Sequence, residues 1–273
     1  ILDQDRYTLG LTVIQTTYRA AMVLGYAGGG VAVAAIGARS ALALDAATFA
    51  GSAALIRYGI RSRPAAAGRV TRSPAADIAA GVKLVATDRA LRTLLLLGWL
   101  VAFYASPEGV AAPLADGLGG GAALVGLILA ASAFGAILAA PVFVRLVAPA
   151  RRVRMMGPLA VAACGTLLLC LTSPGVPGLL VILAVSGAFG VYQIPANAEF
   201  MTRVPTARRG QAFGLANAGI FATQGIAFVV AGAAAQVVSP LVVVAVAGGL
   251  GAAAGVALTM TWRRTPPDAG QGK

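Results

Sequence analysis

Basic residues fall on alternate sides of eight long apolar stretches, and this alternation constrains the fold more than any other feature of the chain. The stretches run 11–37, 40–56, 93–115, 122–144, 155–172, 178–198, 212–237 and 239–262. Each approaches the ~20 helical residues that cross a bilayer core of about 30 Å. If the chain enters from the cytoplasm, 19 of the 21 Lys and Arg residues fall in the inner segments, grouped at Arg6, Arg57 to Arg92, Arg145 to Arg154, Arg203 to Arg209 and the tail. Arg39 is the basic residue of the outer loops, and Arg19 lies inside a stretch. Positive charge is retained on the cytoplasmic side, so both ends are expected there.

Composition agrees. A hydrophobic fraction of 59% exceeds the roughly 45–50% of soluble domains. The net charge of +12 would elsewhere suggest nucleic acid as a partner. Here it is divided among short loops without a basic face, and no nucleic-acid binding is expected. Cys164 and Cys170 share one stretch without metal-ligand spacing and read as buried structural thiols. The chain has no histidine, which removes imidazole triads and zincin motifs. It has no Gly-x4-Gly-Lys-Ser/Thr loop either, so ATP drive by this chain is not expected; with no metal-ligand cluster in the stretches, no metal and no cofactor are expected.

The chain divides into a first helical pair (1–58), a cytoplasmic linker with a short amphipathic helix (59–91), a six-helix block (92–262) and a cytoplasmic tail (263–273). A tight turn is expected at Gly37 to Ser40 between the first two stretches. In the linker, Ser73 and Pro74 read as N-cap and first residue of the short helix. Its apolar residues Ile78, Val82 and Val85 suit either the membrane interface or weak packing on the loops. Glycines such as Gly126, Gly135, Gly219 and Gly248 punctuate the later stretches, where small residues let helix backbones approach.

A weak parallel repeat is also visible. Arg6-Tyr7-Thr8-Leu9-Gly10-Leu11 opens the first stretch, and Arg209-Gly210-Gln211-Ala212-Phe213-Gly214-Leu215 opens the seventh. A glycine follows 18 residues after Gly10 and 18 residues after Gly214, at Gly28 and Gly232. Parallel six-helix repeats relate the two halves of one transporter architecture. On that logic the first pair closes one half, 92–262 is a second half, and four further spans precede Ile1.

Three segments then resemble spans five and six of bacterial major facilitator superfamily transporters, of the drug- and siderophore-exporter branch. They are Gln15-Thr16-Thr17-Tyr18-Arg19, Gly25-Tyr26-Ala27-Gly28-Gly29-Gly30 and Leu44-Asp45-Ala46-Ala47-Thr48-Phe49. The segment from Trp99 to Ala115, with Pro107, Glu108 and Pro113, is similar to the seventh span. The resemblance implies an all-α membrane bundle, eight transmembrane helices of twelve, with spans seven and ten lining a central cavity and five, eight and eleven lining the interface between halves. It implies secondary transport: proton-coupled efflux of a small amphipathic molecule by a monomer in the bacterial cell membrane. Uptake, a non-transporting scaffold and an inactive truncation are the alternatives. Two departures stand out. Tyr26 replaces the proline of the family's span-five antiporter motif. The loop with Arg145, Arg151 and Arg152 lacks the usual acidic residue.

Charged residues inside the stretches are Arg19, Asp45 and Glu108, each costing roughly 2.5–3.5 kcal/mol at a helix centre. Glu108, between Pro107 and Pro113, is placed to bind a cationic group or carry a proton, or else lies in water at the outer interface. Arg19 attracts an anion, pairs with an acid or snorkels inward. Asp45 reads as a helix-end residue. Tyr192, Gln193 and Asn197 are candidates for hydrogen bonds to substrate or to neighbouring helices. Asn217, Thr223 and Gln224 read as contacts between helices. Gly25, Gly28, Gly29 and Gly30 form a smooth face for packing on the 122–144 helix, and by resemblance a conformational motif. Arg145, Arg151 and Arg152 read chiefly as topology anchors.

Overall fold

The computed structural model describes residues 4–59, 74–205 and 208–264, all helical or in short connections. The helices are α1 (Gln4–Gly59), α2 (Pro74–Thr87), α3 (Arg89–Trp99), α4 (Val101–Tyr104), α5 (Ser106–Gly109) and α6 (Ala111–Gly117). After them come α7 (Ala122–Leu146), α8 (Pro149–Gly165), α9 (Val176–Phe189), α10 (Gln193–Arg203), α11 (Arg209–Ala234) and α12 (Pro240–Arg263). A 3-10 stretch, Thr166–Thr172, prolongs α8, and another, Gly190–Tyr192, joins α9 to α10.

Among the described residues six helical runs are long and apolar enough to cross a membrane: Leu24–Gly59, Ala122–Leu146, Pro149–Thr172, Val176–Arg203, Arg209–Ala234 and Pro240–Arg263. The last five overlap the five C-terminal stretches expected from sequence. The other two regions differ. No four-residue turn separates the first pair, because Arg39 and Ser40 are helical and the departure is confined to Gly37, at φ 77° and ψ 158°. That left-handed value suits glycine, which has no Cβ to clash. Asp45 lies eight residues beyond Gly37, in helical backbone and exposed. The expected 93–115 span is divided among α3, α4, α5 and α6. Pro107 and Pro113 lack the N–H an uninterrupted helix needs, and the first interruption falls at Leu100.

This divided segment runs through the core. Leu91, Leu94 and Leu95 pack at one end with Val85, Met156, Phe200 and Val204. Leu97 and Leu100 pack in the middle with Ala160, Ala163 and Tyr192. Val110, Ala111, Leu114 and Ala115 pack at the other end with Ile128, Leu167, Leu183 and Val244. Around this core, large apolar side chains such as Phe49, Leu138, Val181, Val229 and Leu250 are exposed. A soluble protein does not present such a girdle; hydrocarbon tails cover it in a membrane.

Without a hydrophobic drive between lipid-bathed helices, close backbone approach holds the bundle. The Cβ position of Gly135 falls on the Ala184 carbonyl oxygen, and that of Gly187 on the Ser132 carbonyl oxygen, so α7 and α9 meet through a reciprocal glycine pair. Gly248, Gly251 and Gly255 press α12 against Cys164, Phe103 and Val161. Both cysteines are free thiols buried in this packing.

At the basic end, side chains satisfy helix-end carbonyls and amides. Asp88 accepts from the Ala90 and Leu91 amides at 2.7 and 3.1 Å, capping α3. Arg152 donates to the Val147 carbonyl at 2.6 Å and to that of Val144, closing the C-terminal turn of α7. Arg145 and Arg151 are exposed. Helix α2 begins at Pro74, as expected, and packs on α11 and α3: Gly81 lies over Gln211, and Val85 is buried while Val82 is exposed. The Ser73 cap, the Ile78 side chain and the tail beyond Arg264 lie outside the described residues.

Candidate functional site

Helix α3 and the 3-10 turn before α10 are cross-linked where the divided segment is first interrupted. The Tyr192 hydroxyl donates to the Leu97 carbonyl at 3.0 Å, and Gln193 Nε2 donates to the Gly98 carbonyl at 2.9 Å. Gln193 Nε2 also donates to the Tyr192 hydroxyl at 3.2 Å. Unpaired backbone carbonyls are costly in a membrane. Trp99 ties the same point to α11: its indole N–H donates to the Ala216 carbonyl at 3.2 Å, and its ring lies directly over Gly219.

Beyond this cross-link the helices part around a cavity of about 670 Å³. One wall is Val101, Tyr104, Ala105 and Glu108. Their spacing of three, four and seven residues keeps them on one face of a near-helical backbone. The opposite face of the same segment, with Ala102, Ser106 and Val110, is buried in protein. Helix α11 supplies Phe221, Gln224, Gly225 and Phe228 at the same spacing, together with Ile220. Met22 and Tyr26 come from α1, and Ser132, Ala133, Ala136 and Ile137 from α7. Gly187, Gly190, Gln193 and Asn197 complete the lining.

Glu108 is the one formal charge among the described lining residues. The ion pair formed among the described residues lies elsewhere, between Arg203 and Glu199 at 2.9 Å, with the Arg203 guanidinium over the Trp262 ring at 5.3 Å. The backbone that carries Glu108 is held tightly. A Cβ on Gly109 would lie 2.9 Å from the Phe228 Cα, so α5 and α11 meet with no side chain between them.

The residues singled out in the sequence separate into three groups. Glu108, Gln193 and Asn197 come together at the cavity. Tyr192 does not line it: it is fully buried behind the wall, its hydroxyl bonded to backbone and its ring edge-on to Tyr104 at 6.2 Å between centroids. Arg19 sits on α1, and its side chain lies outside the described residues. Of the glycine face, Gly30 meets α7, where its Cβ would lie 2.7 Å from the Gly126 Cα; Gly25, Gly28 and Gly29 face open space. Arg145, Arg151 and Arg152 stand apart from the cavity, at the end of α7 and start of α8.

Sequence reasoning missed several lining residues. Gln224 faces the cavity rather than a neighbouring helix. Thr223 donates to its own helix at the Gly219 carbonyl, 2.7 Å, and not between helices. The signal was available in the Phe221, Gln224, Gly225, Phe228 stripe, a mixed face on an otherwise apolar helix.

Long apolar helices around a mainly apolar cavity, with one carboxyl group among the described lining residues, define a multi-pass membrane protein. The family model described as Major Facilitator Superfamily matches residues 109–273, more than half the chain. The chain therefore belongs to the major facilitator superfamily, whose members are secondary transporters. No curated protein and no solved structure matches the chain.

Proposed function

We propose that the chain works as a proton-coupled exporter of a small amphipathic molecule in the bacterial cell membrane, with the Glu108 cavity as its substrate and proton pathway. The observation that supports this reading is the placement of Glu108, the one carboxyl group among the described lining residues, in a cavity lined by five separate helical regions. Movement of those regions against one another changes the carboxyl group's access to water, which alternating access requires. Gln193, Asn197 and Gln224 offer polar contacts to a substrate, and Phe221, Ile220 and Met22 offer apolar ones.

The reading includes the finer topology. Helix α1 crosses twice about Gly37, and α3 to α6 cross once as an interrupted span, giving eight of a carrier's twelve crossings. Both ends are cytoplasmic, with Arg145, Arg151 and Arg152 on that face. Arg19 belongs to the pathway, and the Gly25 to Gly30 face serves conformational switching. The protein acts as a monomer without cofactor.

The test is flux of a compound panel across proteoliposomes with an imposed pH gradient. The reading expects at least one amphipathic compound to move against its own gradient as protons run down theirs, and to stop when the gradient is collapsed. A panel whose members move only down their own gradients, or not at all, contradicts it.

A further inference from the structure

We propose that the basic end of the α8–α12 pair is a binding site for an anionic phospholipid of the surrounding bilayer. The proposal requires only that the bundle lies in a membrane, and it stands apart from the carrier reading.

Three observations support it. The first is register. Helices α8 and α12 run antiparallel in close contact: the Cβ position of Gly157 falls on the Thr259 side chain, and that of Gly255 lies 3.1 Å from the Val161 Cγ2. Extended by one turn toward the basic end, this register sets Arg151 and Arg154 of α8 beside Arg263 and Arg264 at the end of α12. Val153 and Trp262 both pack against the cluster that holds Met156 and Phe200.

The second is charge without a protein partner. All four arginines are exposed, and the ion pair among the described residues is made elsewhere, by Arg203 and Glu199. Helices α7, α8 and α12 contain no Asp or Glu. Arg152, in the same turn of α8, is committed to the Val147 and Val144 carbonyls. Retention of positive charge on one side of the membrane accounts for the sign of these residues, but not for their meeting at one edge from two helices. A phosphodiester supplies the missing anion through charge-assisted hydrogen bonds, and guanidinium suits it better than a point charge does.

The third is the apolar face that leads to the arginines. On α12, Val246, Leu250 and Met260 are exposed, with Ala253 and Ala257 exposed between them. Arg264 continues this stripe one turn past Met260. On α8, exposed Pro158 follows Arg151 and Arg154 at helical spacing. None of the described residues of either helix lines the cavity, so this face is turned to lipid. An acyl chain covers the stripe while its headgroup meets the arginines; a free phosphate ion would use the second half alone.

The test is native mass spectrometry of the full chain in detergent, freed of lipid and titrated with dioleoylphosphatidylglycerol or dioleoylphosphatidylcholine. The two lipids share acyl chains and differ in charge. The phosphatidylglycerol should bind at least about tenfold more tightly. Changing Arg151, Arg154, Arg263 and Arg264 together to Gln should lower that affinity at least about tenfold, and changing them to Lys should keep it within about threefold. Changing Arg39, Arg57, Lys83 and Arg208 to Gln removes the same charge away from the pair and should leave affinity within about twofold. If the first Gln variant melts well below wild type, the pair Arg263→Gln and Arg264→Gln is read instead, with a loss of about threefold or more expected. Equal affinity for the two lipids, binding of neither, an equal loss in the two four-residue Gln variants, or displacement of the lipid by inorganic phosphate at the same concentration overturns the proposal. Each of these outcomes leaves the carrier reading untouched, and a failure of gradient-driven flux leaves the lipid site standing.

Discussion

The hydroxyl of Tyr192 reaches back 95 positions to the Leu97 carbonyl, 3.0 Å away, at the first interruption of the divided segment. The bond places a fully buried side chain where the α3 ladder stops, with Gln193 beside it on the next carbonyl. In Tyr192→Phe the hydroxyl is lost, and the bond from Gln193 goes with it. The expected cost is about 1–2 kcal/mol, the net value of buried membrane hydrogen bonds. Thermal unfolding in detergent measures it. Ligand affinity at the cavity should change less than in Glu108→Gln, since Tyr192 lies behind the wall.

Helix packing gives a paired prediction. Gly187→Val and Gly135→Val place side-chain atoms on backbone carbonyls of the facing helix. Each should cost about 1–3 kcal/mol or more, the usual range for overpacking, and lower the melting temperature. Gly25→Ala, which meets nothing within 4 Å, should leave the melting temperature unchanged or raise it slightly. Similar losses at all three positions would contradict the packing scheme.

The Asp88 cap is separable from the bundle. Asp88→Ala removes the acceptor for the Ala90 and Leu91 amides and should cost about 1 kcal/mol, within the range for cap removal. Asp88→Asn or Asp88→Ser should recover most of it. Urea or thermal titration of the three variants provides the measurement.

Sidedness follows from the arginine pattern. Single cysteines replacing exposed Lys83 or Ala150, in a background lacking Cys164 and Cys170, should resist a membrane-impermeant maleimide in intact cells and react after permeabilisation. A cysteine replacing exposed Asp116 should react in intact cells. Reaction of position 83 or 150 from outside would invert the topology.

The sequence made the long helices legible because a bilayer imposes a length: α7 and the last four membrane-length runs start and stop within a few residues of their apolar stretches. It also pointed to Glu108, since a charge between two prolines in apolar sequence has few structural excuses. Two features escaped it. Gly37 was read as one end of a turn, because backbone geometry at a single glycine leaves no hydrophobic trace. The partnership of Trp99 with Gly219 and Ala216, and of Tyr192 with Leu97, joins residues about a hundred positions apart and carries no periodic signal. Tyr192 and Gln193 are neighbours in sequence, yet one lies behind the cavity wall and the other lines it; that difference depends on which helix each side chain meets.

The most direct test of the Glu108 pathway is substrate-triggered proton movement in proteoliposomes loaded with a pH-sensitive dye, comparing wild type with Glu108→Gln. A substrate found in the compound panel should trigger a lumenal pH change in wild type, and that change should disappear in Glu108→Gln although the variant unfolds at a similar temperature. An undiminished proton signal in Glu108→Gln would contradict the account.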